Sequence, residues 1–175
     1  MYNNYYPYVP IMASYPQNQH MYPRTPDHNQ QFNIPNLPLL GKETMDQLIK
    51  NTMKAIVDEA TAADFYSRLL KEAPNNLHKE FVQHARNDEL EHLEAFKKLY
   101  TYLTGKTPQY RIVPSQYPNY KAGLLMALKD ELKAAEFYRN VQLSNTDQLV
   151  KDTFLFAMVD EIEHGTQFGV LYNSL

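Results

Sequence analysis

The chain has 175 residues, a mass of 20.5 kDa, a formal charge of -3 and a sequence pI near 6.1. That is the size of one domain with appendages, and it lacks the basic excess that a nucleic-acid partner calls for. With no cysteine there is no disulfide framework, thiolate zinc site or iron–sulfur cluster, so any metal must be held by oxygen and nitrogen ligands. The longest apolar runs, 123–128 and 154–159, fall far short of the roughly 20 residues that span a bilayer, and no membrane partner is expected. No Lys or Arg precedes Arg24 and no apolar block follows the start; the pattern of a secretory leader is missing, and a cytoplasmic location is expected.

Composition changes abruptly near Gly41. Residues 1–40 hold six tyrosines, seven prolines, six asparagines and four glutamines, but only two charges, Arg24 and Asp27. Prolines at this density fix φ and remove backbone donors, which predicts a disordered or extended N-terminal tail. Two readings of the tail stand: a Tyr/Pro-rich segment that tethers the domain to a larger assembly, or a solvated leader without a partner.

Residues 41–175 are expected to form an all-α domain of four long helices. The first runs from about Lys42 to Ala73, with Met45, Leu48, Ile49, Met53, Ile56, Ala60, Ala63 and Leu70 at three- and four-residue steps before Pro74. The second, about 76–103, carries Leu77, Phe81, Ala85, Leu93, Phe96 and Leu99 or Tyr100, and stops before Gly105. The third covers about 121–143, after Pro118, and the fourth starts near Thr146 or Asp147 and reaches about Leu171. The first and third connections are short, so the helices they join are antiparallel neighbours. The second connection, 104–120, contains three prolines and can reach about 55 Å. A 28-residue helix is about 42 Å long, so this segment can cross the whole bundle and join two hairpins.

The two hairpins repeat one another at an offset of 72 residues. Glu59-Ala-Thr-Ala-Ala-Asp-Phe-Tyr66 answers Glu131-Leu-Lys-Ala-Ala-Glu-Phe-Tyr138, Asp88-Glu-Leu-Glu-His92 answers Asp160-Glu-Ile-Glu-His164, and Phe96 answers Phe168. In a helix, residues three apart lie about 60° from each other and one turn along. Glu89 with His92, and Glu161 with His164, can therefore present a carboxylate and an imidazole to one inward point. Glu59 and Glu131 fall on the apolar stripes of their helices. Four carboxylates and two imidazoles buried together would be costly alone. Two divalent cations neutralise them, which is the dimetal-carboxylate pattern of four-helix bundles.

The same arithmetic turns Glu91, Glu163, Asp64 and Glu136 toward solvent. Asp88 and Asp160 lie about 40° from the histidine four residues later, within reach of a role in fixing a histidine tautomer across the bundle. Tyr66 and Tyr138 fall seven residues after the glutamates of the first and third helices, where core packing and a hydrogen-bonding or redox role explain them equally. His20 and His28 of the tail, and His78 and His84, which lack a partner in the repeat, are read as plain.

On these motifs the segment from about 42 to 172 resembles the ferritin-like superfamily, most closely its rubrerythrin and bacterioferritin branches. The resemblance implies a ferritin-like four-helix bundle. It also implies ligands Glu59, Glu89, His92, Glu131, Glu161 and His164, with Glu89 and Glu161 as bridges. Asp88 and Asp160 would bond the histidine of the opposite half, and Tyr66 and Tyr138 would stand just outside the ligands. Leu90 occupies the place of the haem-binding methionine of bacterioferritin, so haem is not expected; Ala134 replaces a glutamate typical of rubrerythrins. No fifth helix follows the fourth, and a mineral-storing shell is not expected.

The implied function is a di-iron oxidoreductase, with manganese as the alternative metal, that reacts with peroxide or dioxygen and draws on an external electron donor. The rival readings are an Fe(II)-binding ferroxidase, a manganese catalase-like enzyme, and a structural protein of spore-coat type in which the tail does the work; the last would place the protein in a spore coat. A homodimer is compatible with all of them.

Overall fold

The computed structural model describes residues 43–175. The tail 1–40, its expected disorder and tethering role, His20 and His28 lie outside the described residues.

Among the described residues the chain is all-helical, with α1 Met45–Leu69, α2 Asn76–Thr104, α3 Tyr120–Ser144 and α4 Gln148–Asn173. Each start is set by a side chain that accepts a hydrogen bond from an otherwise unpaired helix N–H. Thr44 accepts from Gln47 N, Asn75 from His78 N, Asn119 from Ala122 N and Asp147 from Val150 N. The first helix thus begins at Met45 rather than at about Lys42, because Thr44 is its cap. It ends in a short 3-10 turn, Leu70–Glu72, ahead of Pro74. Helix α2 stops at Gly105, whose φ of 69° turns the chain into the left-handed region while its N–H bonds Thr101 O at 2.8 Å. A residue with a Cβ would be strained there.

Helix α1 packs against α2, α3 against α4, and α2 against α4, while α1 and α3 meet only sparsely. This is the expected pair of hairpins, and residues 105–119 form the long crossover between them. The crossover is pinned to the first hairpin: Val113 N donates to Thr61 Oγ1 at 3.1 Å, and the Tyr117 hydroxyl donates to Glu72 Oε1 at 2.7 Å. Tyr117 also packs on Phe65, and a Cβ on Gly123 would stand 2.7 Å from Leu69 Cδ1, so any larger residue there would have to push the end of that leucine aside.

Two apolar clusters fill the bundle. One gathers Leu48, Ile56, Phe96, Leu99, Tyr138, Val141, Val150 and Phe154; the other gathers Phe65, Tyr66, Leu69, Val82, Leu124, Phe168 and Leu171. Burying each phenylalanine or leucine contributes on the order of 2 kcal/mol. Met45 and Leu77, expected on apolar stripes, are exposed, since each sits in the first turn of its helix, beyond the reach of the core. The buried charged residues lie between the two clusters.

Candidate metal centre

Glu59 on α1, Glu89 and His92 on α2, Glu131 on α3, and Glu161 and His164 on α4 are all buried. They form two overlapping groups, each able to offer one ligand atom per residue with all four atoms within 4.8 Å of one another. Glu59, Glu89, His92 and Glu161 make one; Glu89, Glu131, Glu161 and His164 make the other. Glu89 and Glu161 belong to both, which is the position a bridging carboxylate takes.

The imidazoles are held from behind. His92 Nε2 lies 3.0 Å from Asp160 Oδ2, and His164 Nε2 lies 3.0 Å from Asp88 Oδ2. A carboxylate only accepts, so Nε2 carries the proton in each ring and Nδ1 faces the centre. His92 Nδ1 stands 3.4 Å from Glu161 and 3.6 Å from Glu59; His164 Nδ1 stands 3.4 Å from both Glu89 and Glu161. The glutamates are held too. The Tyr66 hydroxyl donates to Glu131 Oε1 and the Tyr138 hydroxyl to Glu59 Oε1, each crossing between α1 and α3. Phe168 packs on Tyr66 with ring centroids 5.0 Å apart, and Phe96 on Tyr138 at 5.3 Å, one pair for each half of the repeat.

Four polar atoms at this centre are buried without a hydrogen-bond partner: Glu89 Oε1, Glu161 Oε2, His92 Nδ1 and His164 Nδ1. They are contributed by both helices of the Glu-x-x-His pairs and turn toward one another. Orphaned buried atoms of this kind cost about 1–3 kcal/mol each. A donor set of carboxylate oxygens and imidazole nitrogens suits two divalent cations such as iron or manganese, and cations there would satisfy all four atoms. The residues therefore fit a dinuclear metal centre.

The protonation of the metal-free site expresses the same crowding. Burial, and then the charge of Glu161, push the Glu89 and Glu131 carboxyls well above the usual range. Burial opposes ionisation of Glu161 as well, but the nearby Glu131, His164 and His92 outweigh it and bring it down to about 2. For His92 burial is likewise overcome, by Glu161 and Glu59, which raise it to about 11; Glu161 and Asp88 raise His164 against the same penalty. Burial also lifts the Tyr66 and Tyr138 hydroxyls well above 10, with Glu131 and Glu59 adding to it. Both phenols stay protonated and act as donors.

Glu91, Glu136 and Glu163 are exposed and Asp64 is half-buried, paired with Arg68 rather than with the centre. His78 is buried with both ring nitrogens occupied, by the Tyr120 hydroxyl at 3.0 Å and Ser174 Oγ at 2.9 Å. It ties α2 to α3 and the end of α4. His84 is exposed; its Nδ1 lies 3.4 Å from Gln167 Nε2 and 3.3 Å from Asp88 Oδ2, the oxygen that also holds His164. The spacing of His84 four residues before Asp88 was the available signal, since such pairs share a helix face.

A cavity of about 360 Å³ opens between α1 and α3, which meet only sparsely. Glu59, Glu89, Glu131 and Glu161 lie at its floor, Ala62, Ala127, Ala134 and Phe137 along its walls, and Val113 and Ser115 of the crossover at its rim. The rim charges, Lys54 with Asp58 and Lys133 with Asp130, pair with each other. No described helix is long and apolar enough to cross a membrane.

No protein-family model matches the chain. Among solved structures, a two-domain protein from Anabaena variabilis ATCC 29413, with DJ-1/ThiJ/PfpI-like and ferritin-like domains, superposes with a TM-score of 0.63 at 17% identity. The match covers 77% of this chain and 38% of that one, so this chain spans well under half of its neighbour's length. At that identity the likeness carries the fold alone, and the fold is ferritin-like. Among curated proteins, the uncharacterized protein YhjR of Bacillus subtilis (strain 168) is 33% identical over 125 residues, which are 69% of this chain and 83% of YhjR. Similarity at that level across most of both chains places this protein in the YhjR family.

Proposed function

We propose that this protein is a rubrerythrin-like oxidoreductase with a dinuclear metal centre, iron with manganese as the alternative, that reduces peroxide or dioxygen. The observation that carries this reading is the coincidence of the two overlapping ligand groups with a small cavity whose floor they form. A pair of ferrous ions held by Glu59, Glu89, His92, Glu131, Glu161 and His164 would supply the two electrons that the reduction of hydrogen peroxide to two waters requires, with two protons.

The residues of the chain do the rest. Glu89 and Glu161 span both positions. Glu59 with His92, and Glu131 with His164, complete one position each. Tyr66 and Tyr138 fix the terminal carboxylates, and Asp88 and Asp160 hold each imidazole with Nδ1 inward. Alanine and phenylalanine side chains keep the cavity walls apolar, and the paired charges at the rim favour a small neutral oxidant over an anion.

Anaerobic titration with Fe(II) tests the reading. The expected outcome is saturation near two irons per chain, with added peroxide oxidising them faster than air does. Uptake of tens of irons per chain with a mineral core would replace the enzyme reading with storage. Binding of two irons that no oxidant touches would replace it with a scaffold that keeps an inherited site.

A further inference from the structure

Helix α4 is apolar on both sides. Its core side carries Phe154, Ala157, Phe168 and Leu171, all buried. Its outer side carries Leu155, Val159, Ile162 and Val170, each 38–53% exposed. With Thr166 between them they follow one another at steps of four, three, four and four, and so form one stripe along the helix. Leu132 of α3, also exposed, widens the stripe, since its Cδ2 would stand 3.3 Å from a Cβ on Gly165. The first hairpin holds its core without any such face. At the offset of 72 residues, the counterparts of Leu155, Val159, Ile162, Thr166 and Val170 on α2 are Gln83, Asn87, Leu90, Glu94 and Lys98. The same place in the repeat is thus solvated in one hairpin and apolar in the other, which is the mark of a covered surface.

We propose that the outer face of α3 and α4 is covered by a second copy of the chain, the two copies lying antiparallel across a two-fold axis that passes between Glu136 and Arg139. The pattern on α3 carries this choice. Leu132, Glu136, Arg139 and Leu143 follow at steps of four, three and four, so they share one line along the helix, and all four are exposed. The line reads alike from both ends, leucines outside and charges inside, except that the charges have opposite signs. An antiparallel two-fold therefore sets Leu132 of one copy on Leu143 of the other and Glu136 on Arg139, each contact made twice. A parallel pairing would set Glu136 on Glu136 and Arg139 on Arg139. Gly165 lies against Leu132, so the same axis falls about level with Val159, near the middle of the apolar stripe on α4. The area is sufficient as well. Helix α4, with 26 residues, is about 39 Å long, and two helices side by side are about 20 Å across. Pairing two such faces covers about 800 Å² on each copy, the size of a standard stable interface.

Sedimentation equilibrium on the full-length protein provides the test, and wild type is expected to run as two chains per particle. Arg139→Glu brings four carboxylates together at the axis and should weaken the dimer about tenfold or more. Glu136→Arg should do the same from the other sign, and the double variant Glu136→Arg with Arg139→Glu should recover the wild-type affinity. Ile162→Lys puts a charge into the apolar stripe and should leave single chains. Cross-linking reads the register without disturbing the charges, because the chain has no cysteine of its own. Leu132→Cys and Leu143→Cys, mixed and mildly oxidised, should form a disulfide-linked dimer, whereas either protein alone should not, its two cysteines lying about 16 Å apart along the helices. A wild type that stays a single chain would overturn the proposal and leave the face to another partner. A dimer indifferent to Ile162→Lys and Arg139→Glu, or cysteines that cross-link as well alone as mixed, would overturn it in favour of a different face or a different register.

Discussion

The Tyr66 hydroxyl on α1 donates to the Glu131 carboxylate on α3, and the other half of the repeat returns the bond from Tyr138 to Glu59. The pair of bonds links two helices that otherwise meet only sparsely. It also lets each half of the chain hold a buried carboxylate belonging to the other.

Tyr66→Phe keeps the packing on Phe168 and removes only the donor. A buried carboxylate that loses a charge-assisted partner costs about 1–3 kcal/mol. The variant is expected to bind two metals per chain with lower affinity, and to melt at a lower temperature when metal-free. Calorimetry on the stripped protein checks the second effect. If the variant melts with wild type, the bond contributes nothing to stability.

The titrating groups give opposite pH trends for the stripped and loaded protein. His92 and His164 have raised values in the fold, His92 to about 11. Their contribution is complete below about 6.5 and is lost as pH rises through the folded value. Glu89 and Glu131 are raised as well, so ionising them in the stripped protein also removes stability as pH rises. Glu161, lowered to about 2, contributes above the ordinary carboxylate range and is lost only as pH falls toward that value. Metal must displace the protons of His92, His164, Glu89 and Glu131, so its affinity rises with pH. The stripped protein should therefore lose stability between about pH 6.5 and 9 while the gap to the loaded protein widens. Melting curves with and without metal across that range check it, and a gap that narrows would contradict the assignment of those protons.

That these six side chains gather in one buried cluster was legible in the sequence because a helix converts spacing into direction. Glu89 with His92, and Glu161 with His164, are three apart, and the constant offset brought Glu59 and Glu131 in with them. Proline, glycine and the long 104–120 segment likewise revealed the hairpins and the crossover. The boundaries moved where capping, and not hydrophobicity, decides: Thr44 sets the start of α1. Which residue each tyrosine would bond was not legible, since partners on different helices depend on how the helices are set against each other.

Phe168→Ala removes a fully buried ring from the cluster that holds Tyr66 in place. Truncations of this size cost about 3–5 kcal/mol, the larger values where the cavity cannot collapse. Four helices surround the site, so little collapse is expected. The Tyr66 ring also loses its neighbour, and metal affinity should fall along with stability. Denaturant unfolding and metal titration on the same sample check both; a destabilised variant with wild-type affinity would show that Tyr66 is positioned by other contacts.

The cavity between α1 and α3 offers a separation of binding from reaction. Ala134 lines its wall on α3 and is not among the residues that could hold metal. Ala134→Leu adds three carbons to a space of about 360 Å³, enough to narrow it without closing the bundle. Overpacking costs about 1–3 kcal/mol where the core is tight, and less where a cavity receives the new atoms. The variant should bind two metals with wild-type affinity and react more slowly with peroxide, the more so with a bulkier organic hydroperoxide. Stopped-flow oxidation of the Fe(II)-loaded protein measures this. Rates unchanged for every oxidant would mean that the cavity is not the route to the centre, and that small molecules reach Glu59 and Glu131 from another side of the bundle.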